Sequence, residues 1–504
     1  MTSTAVSRIL GFVRIAVVGA IFGASGEADV LNLVFNIPNN LRKLLAEGAL
    51  SSAFVPVMSQ CAADPERHRT GRILFRNLLA LQLLILVPLL TAAVFKSSIV
   101  VNTILDFTDP EKQELAARLF SPLIQYVLLI SIAAVLMGTL HAHSRFLVPS
   151  LAPLLFSVAV ISAILLLHRR IGIYSMVWGV LIGGILQILV QVPQTRRLGY
   201  RFFGALSFRQ AEFRSILRRW GPVVSTSAVF TINQQIALFF ASGLADGSGS
   251  AMTNALTFWQ LPFGIFGASI TTVLFPRMSR EAHRGATKAL SATVTGGIVS
   301  LALLLIPSGA GLLVLGEEIV AVALQRGAFL TVHTVLTAQV LGAYAVGLFS
   351  VAAFTFFQRA FYASGDYRTP LITATITVIV DVFLSLYLKE TYLGVAGLAW
   401  ANTIAFTLGL VIFMFRFSVR TTGMFRIKPV ISGVAAALSG AAAGIAGTVP
   451  GQYILSRTGH HEWWIGGSSW QGLGFLLVLT VPAIAAILLI YRVYGYTLRG
   501  IMQR

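Results

Sequence analysis

The stretch Ser7–Pro56 reads SRILGFVRIAVVGAIFGASGEADVLNLVFNIPNNLRKLLAEGALSSAFVP and sets Arg8, Arg14, Asp29, Arg42, Lys43 and Glu47 in sequence apolar enough to be membrane-embedded. An ionisable side chain inside a bilayer-spanning helix costs a few kcal/mol unless it faces water, a partner or a ligand. These residues therefore mark a functional site by default.

The rest of the 504-residue chain supports that setting, with 56% hydrophobic and only 11% charged residues. A mean hydropathy of +0.82 excludes a water-soluble globular domain of this length. Apolar runs such as Leu78–Phe95, Leu151–Leu167, Ala289–Leu315 and Gly472–Tyr491 recur between Arg, Lys, Pro and Gly. Runs able to cross roughly 30 Å of hydrocarbon number about 14, which predicts an all-α polytopic membrane protein rather than a barrel of alternating ten-residue strands. Arg8 and Arg14 interrupt the first apolar run, so it reads as a first helix and not as a removable signal. The single cysteine, Cys61, excludes a disulfide framework, a thiolate zinc site and an iron–sulfur cluster within the chain.

The net charge of +19 is spread in a pattern that points away from nucleic acid. Basic residues gather in alternate loops: Arg67–Arg76, Arg145, Arg196–Arg219, Arg277–Lys288, Arg359–Arg368, Arg416–Lys428 and Arg492–Arg504. The intervening loops carry Glu27, Asp106–Glu111, Asp246, Glu317–Glu318 and Glu390, with Arg169–Arg170 the main exception. The positive-inside rule then places both termini in the cytoplasm, and the surplus charge orients the protein and holds anionic membrane lipids. No soluble basic and aromatic module exists to bind nucleic acid.

Two elements of the first part recur about 220 residues later in the same order. Phe54-Val-Pro-Val-Met-Ser-Gln60 answers to Leu274-Phe-Pro-Arg-Met-Ser-Arg280, and Ser144-Arg-Phe-Leu-Val-Pro149 to Asp366-Tyr-Arg-Thr-Pro370. Each copy then continues into a Gly/Trp helix containing Trp178 or Trp400. The expected organisation is two pseudo-repeated six-helix lobes, 1–200 and 201–426, followed by two extra helices in 427–504. Duplicated helical lobes with a polar interior are the plan of a secondary transporter that rocks one lobe against the other.

In the second helix Asn32, Asn36, Asn40, Lys43 and Glu47 share one face, with Asn39 and Arg42 on the adjoining stripe. Pro38 should kink this helix and expose carbonyls to a cavity. Arg14 lies midway along the first helix, where snorkelling is hard, while Arg8 is nearer its end. A guanidinium suits phosphate or diphosphate, so Arg14 and Arg42 facing one cavity read as an anion site. The alternative is an internal ion pair with Asp29 or Glu47 that only fixes packing. Asn233 and Gln234 are secondary cavity candidates, and Asp381, alone in an apolar helix, is a candidate cation or proton site. His141 and His143 read as solvated loop residues, and His460 and His461 are too few to suggest metal. No phosphate-binding lysine loop, catalytic carboxylate pair or nucleophile–base motif is present, so no enzyme chemistry and no organic cofactor is expected.

SRILGFVR at Ser7–Arg14, IFGASGEAD at Ile21–Asp29, IPNNLRKLLAEGALSSAFVP at Ile37–Pro56, LPFGIFGASITTVLFPRMSR at Leu261–Arg280, QRGAF at Gln325–Phe329 and RAFYASGDYRTP at Arg359–Pro370 closely resemble the MurJ/MviN family. The resemblance covers nearly the whole chain. It implies a lipid II flippase of the MOP exporter superfamily in the bacterial cytoplasmic (inner) membrane. The implied cargo is undecaprenyl-diphosphate carrying the peptidoglycan precursor, moved to the outer leaflet, with its tail in a groove beside the two C-terminal helices. The resemblance further implies substrate-binding roles for Arg8, Arg14, Asp29, Asn39 and Arg42, while the polar helix face by itself makes Lys43 and Glu47 secondary cavity candidates. Coupling to Na+, H+ or the membrane potential, and peptidoglycan synthesis enzymes as partners, belong to the same implication.

Two departures stand out. Ile15 occupies a position where the family commonly has an acidic residue, and Thr257 one where it commonly has a cavity arginine. Rival readings are a MOP exporter of another polyprenyl-linked glycan or of an organic cation, and a membrane scaffold for cell-wall synthesis that transports nothing. A cationic cargo would disfavour Arg14 and Arg42.

Overall fold

The computed structural model describes residues 2–42, 51–457 and 469–496. Two compact units divide the chain, Met1–Gly249 and Ser250–Arg504. All regular elements among the described residues are helical.

The first unit runs α1 (Thr2–Phe22), α2 (Glu27–Arg42), α3 (Ser51–Ala63), α4 (His68–Phe95), α5 (Ser97–Ile104), α6 (Pro110–Leu123), α7 (Tyr126–Ala142), α8 (Leu147–Ile171), α9 (Tyr174–Arg197) and α10 (Ala211–Ser242). In the second unit follow α11 (Ser248–Pro262, which starts just before the boundary), α12 (Ala268–His283), α13 (Thr287–Val314), α14 (Gly316–Leu324), α15 (Thr331–Val346), α16 (Leu348–Ala363), α17 (Arg368–Leu388), α18 (Val395–Arg420), α19 (Ile427–Arg457) and α20 (Ser469–Val493). Between α11 and α12 the chain takes one wide π-type turn, Phe263–Gly267.

Among the described residues ten helices are long and apolar enough to cross a membrane, or eleven when α15 and α16 are counted as one span bent by 46°. At that bend the Thr403 hydroxyl donates to the Ala343 carbonyl at 2.8 Å, and the Cβ that Gly347 lacks would lie 2.5 Å from Thr403 Oγ1. A side chain inserted beside a helix ladder is a sufficient cause of a bend. Helices α1, α2 and α10 stand outside the count, and they carry Arg14, the asparagine row and Asn233. The shorter helices α3, α5 and α14 stand outside it as well. Large apolar side chains such as Leu84, Leu89, Leu166, Val478 and Val481 are exposed. In water this would be a liability; for a multi-pass membrane protein it is the lipid-facing surface.

The repeated strings occupy equivalent places. Pro56 and Pro276 each sit inside a helix, α3 and α12, while Ser144–Pro149 and Asp366–Pro370 each lead from a loop into a helix, α8 and α17. Small residues set the closest packing, as expected where lipid removes the hydrophobic drive between helices. A Cβ on Gly179 would meet the Val160 Cα of α8 at 2.8 Å, and one on Gly183 the Phe156 ring at 2.8 Å. In the second unit Phe354, Phe361 and Phe413 interlock α16 with α18, with ring centroids 4.8 and 5.4 Å apart. In the loop QRGAF, Gly327 takes φ 59°, Phe329 is buried, and the Gln325 amide donates to the Thr331 hydroxyl at 3.0 Å.

The basic segment after α9 is fastened to the first unit. The Asn77 side chain donates to the Ser207 carbonyl at 2.7 Å and accepts the Ser207 N–H at 2.9 Å. His143, read from sequence as solvated, is half-buried with its Nε2 2.8 Å from the Tyr200 hydroxyl. Helix α10 accordingly packs on α2, α3, α4 and α5. Burial, then the nearby His68 and Arg145 charges, push the His143 imidazole below its usual value. Burial likewise pushes the Tyr200 phenol up to about 12.

Two outcomes follow for stability in detergent. Gly179→Ile should cost about 1–3 kcal/mol by forcing α8 from α9, whereas Gly474→Ile, with nothing within 4 Å, should leave the thermal midpoint unchanged. The unfolded chain binds a proton at His143 more readily than the folded one, so stability should fall as pH drops below about 6.5. His143→Gln should remove that part of the pH dependence, read from thermal midpoints between pH 7.5 and 5.

Candidate functional site

Three elements of the first unit build the site. Helix α1 packs on α8 and brings Arg14 opposite Phe156. The Arg14 guanidinium carbon lies 5.3 Å from the Phe156 ring centroid and 5.8 Å from that of Phe35 on α2. Phe156 is itself backed by Tyr126, centroids 5.2 Å apart, and by the space that Gly183 leaves. Arg14 is half-buried and forms no ion pair or hydrogen bond among the described residues. Its charge is met by ring faces, worth up to about 2 kcal/mol where water is scarce. A ring face accepts no classical hydrogen bond, so the contact does not use up the N–H donors of the guanidinium.

Arg42 stands at the end of α2 and its Nε donates to Asn39 Oδ1 at 3.1 Å. Arg14 feels Arg42 as a neighbouring positive charge. The structure thus brings Arg14, Arg42 and Asn39 into one electropositive neighbourhood. Helix α2 runs through Pro38 as far as Arg42. Asn32, Asn36 and Asn39 are half-buried, and the Asn36 amide donates to the Asn32 carbonyl at 2.8 Å. Asn40, expected on the wet face, is only 3% exposed and its Nδ2 meets no acceptor among the described residues.

Asp29 lies at the start of α2, at the turn between α1 and α2. It is 4% exposed and accepts the Gly247 N–H at 3.1 Å. In return the Gly26 N–H donates to both oxygens of Asp246, at 3.0 and 2.8 Å, and Lys112 Nζ reaches Asp246 Oδ1 at 2.7 Å. Burial alone would raise the Asp246 carboxyl, yet the Lys112 and Gly26 hydrogen bonds outweigh it and hold the group below the usual carboxylate range. Gly26 adopts φ 58°, a left-handed conformation that glycine tolerates at least cost. Each turn therefore supplies a carboxylate to the other's backbone.

The remaining candidates fall elsewhere. Lys43 and Glu47 lie outside the described residues, as do the Arg8 side chain and the His460–His461 loop. Asn233 on α10 is buried and Gln234 half-buried. Thr257 on α11 belongs to the second unit, and its hydroxyl donates to the Thr253 carbonyl at 3.1 Å. Asp381 on α17, 5% exposed, accepts from Asn402 Nδ2 at 3.0 Å and from the Ser385 hydroxyl at 3.4 Å. No group of three or more His, Cys, Asp or Glu side chains suited to a metal occurs among the described residues. Sequence reasoning missed the aromatic cradle of Phe35, Phe156 and Tyr126.

A bundle of membrane-crossing helices with a half-buried arginine pair has the build of a transporter and not of an enzyme. Residues 18–471 match the family described as Lipid II flippase MurJ, and the chain belongs to that family. It is 34% identical over 420 residues to a probable lipid II flippase MurJ of Borreliella burgdorferi, covering 82% of this chain and 81% of that protein. It is 29% identical over 425 residues to the lipid II flippase MurJ of Burkholderia cenocepacia, covering 81% of each. Among solved structures, a lipid II flippase MurJ in an inward closed conformation superposes with TM-score 0.79 at 25% identity, over 98% of this chain and 99% of that one. An inward-facing multidrug resistance MATE family transporter of the MOP superfamily shares the fold, with TM-score 0.70 at 16% identity over 83% of this chain and 95% of the other.

If ring faces carry the Arg14 charge, Phe156→Leu and Arg14→Met should be coupled by about 1 kcal/mol in a double-mutant cycle of thermal stability. Additive effects would show that Phe156 acts through packing alone.

Proposed function

We infer that this chain carries lipid II across the cytoplasmic membrane by alternating access, with Arg14 and Arg42 holding the diphosphate. The observation that carries this reading is an arginine midway along a membrane helix whose charge rests on two phenyl faces while its N–H fork meets no acceptor among the described residues. A packing arginine would be expected to spend that fork on a carboxylate. Asn39 holds Arg42 from the side. The prenyl tail is assigned to the face of α19 and α20, where Ile431, Leu438, Leu477, Val481 and Ile484 are exposed. A glycan headgroup cannot enter hydrocarbon unaided, so a cationic, wet path for the head beside an apolar one for the tail suits this cargo.

The alternate basic loops favour cytoplasmic termini. For energy coupling, the buried Asp381 with Asn402 and Ser385 offers oxygen ligands to Na+ or a carboxylate to H+, and the membrane potential can act on either. The reading is tested in cells depleted of their own lipid II flippase, with outer-leaflet lipid II measured by its accessibility to an added degrading enzyme. Arg14→Ala and Arg42→Ala should each lower transport about 10- to 100-fold, the worth of a hydrogen bond to a charged group. Normal flipping by both variants, at normal membrane abundance, would refute it.

A further inference from the structure

At the basic-loop end of the second unit, α13 and the start of α19 separate and leave a cavity of about 570 Å³. One wall is a single face of α13, with Lys288, Ser291, Thr295 and Val299 at three- and four-residue spacing. The opposite side is the connection into α19, with Met424 and Arg426, while α12 contributes Arg277. The cavity closes at its base, where a Cβ on Gly433 of α19 would lie 2.9 Å from Val299 Cγ1.

Its chemistry is graded from mouth to base. Arg277, Lys288 and Arg426 are exposed at the mouth. The one carboxylate bonded to the lining is Glu281, whose Oε1 accepts from Arg277 Nε at 2.9 Å and from the Thr293 hydroxyl at 3.0 Å. Lys288 and Arg426 form no ion pair among the described residues. Helix α13 starts without a side-chain cap, so its positive end borders the same mouth. Deeper in, Ser291 is only 2% exposed and its Oγ has no hydrogen-bond partner among the described residues. A buried hydroxyl left unsatisfied beside two unpaired cations is the form of an anion site awaiting its ligand.

We propose that this cavity binds the headgroup of an anionic membrane phospholipid, with the phosphate between Lys288 and Arg426 and a headgroup oxygen accepting from the Ser291 hydroxyl. Lipid is favoured over free phosphate because the exposed Met424 at the rim continues into the exposed apolar Ile427 at the start of α19, an apolar rim for acyl chains. The site lies on a different element pair from the arginine site of the first unit.

The test uses the full chain in neutral detergent, with dioctanoyl phosphatidylglycerol, dioctanoyl phosphatidylcholine and inorganic phosphate titrated at equal ionic strength against the thermal midpoint. Phosphatidylglycerol alone should raise the midpoint saturably. Lys288→Gln with Arg426→Gln should weaken that response roughly fivefold per charge removed. The nearly isosteric Ser291→Ala, which leaves charge and fold unchanged, should weaken it as well. Arg201→Gln with Arg209→Gln, exposed on the first unit's linker, should leave it unchanged. An equal response to inorganic phosphate would reassign the cavity to a free anion. Equal weakening by the two charge pairs, or no weakening by Ser291→Ala and the Lys288/Arg426 pair, would overturn the site.

Discussion

The first unit is organised around the placement of one permanent charge. Arg14 sits midway along α1, too far from either end for its stem to deliver the guanidinium to bulk water. Phe35 on α2 and Phe156 on α8 both put a ring near it, where α1 packs on α8 and touches α2. The ring of Phe156 is held in turn by Tyr126 and by the missing side chain of Gly183. A carboxylate in the same place would have cancelled the charge. Aromatic faces lower its cost without consuming its donors, so the site remains electropositive while the helices around it stay packed.

The acidic residues that could have quenched the site are engaged at the turns. Asp29 and Asp246 cap each other's backbone across the connections α1–α2 and α10–α11, and Lys112 neutralises the more exposed of the two. Together with the Asn77–Ser207 pair this binds α10 to the helices that precede it. The separation of sign within one unit, with arginines inside and carboxylates at the turns, follows from these hydrogen bonds.

Much of this could be read from the chain. Apolar runs and their punctuation led to the membrane class and the helix order, and Arg14, Asn39 and Arg42 were legible because charged or amide groups are costly in such runs. The aromatic cradle was not, since Phe35 and Phe156 are two of 34 phenylalanines and a ring in an apolar helix has no distinguishing pattern. Asp29 was legible as a costly buried charge, but its bond to the Gly247 N–H was not, because that partner is 218 positions away. Asn40 illustrates a limit of periodicity: spacing shows which residues share a stripe, but burial depends on which neighbour covers it. His143 reads as loop surface until Tyr200, 57 residues on, folds over it.

The wide turn at Phe263–Gly267 has a mechanical meaning. A π-type turn holds one residue more than the helix on either side, so the span contains slack that can pass along it without breaking the ladder of hydrogen bonds. Upstream, Trp259 is stacked on Phe263 at 4.8 Å and tied through its indole N–H to the Tyr344 carbonyl, so that end is anchored. Moving the surplus residue one step would re-aim only the residue it passes, by about 100°, the angle of one residue. The span is therefore a continuous rod anchored at one end, with its single surplus residue lodged just before α12.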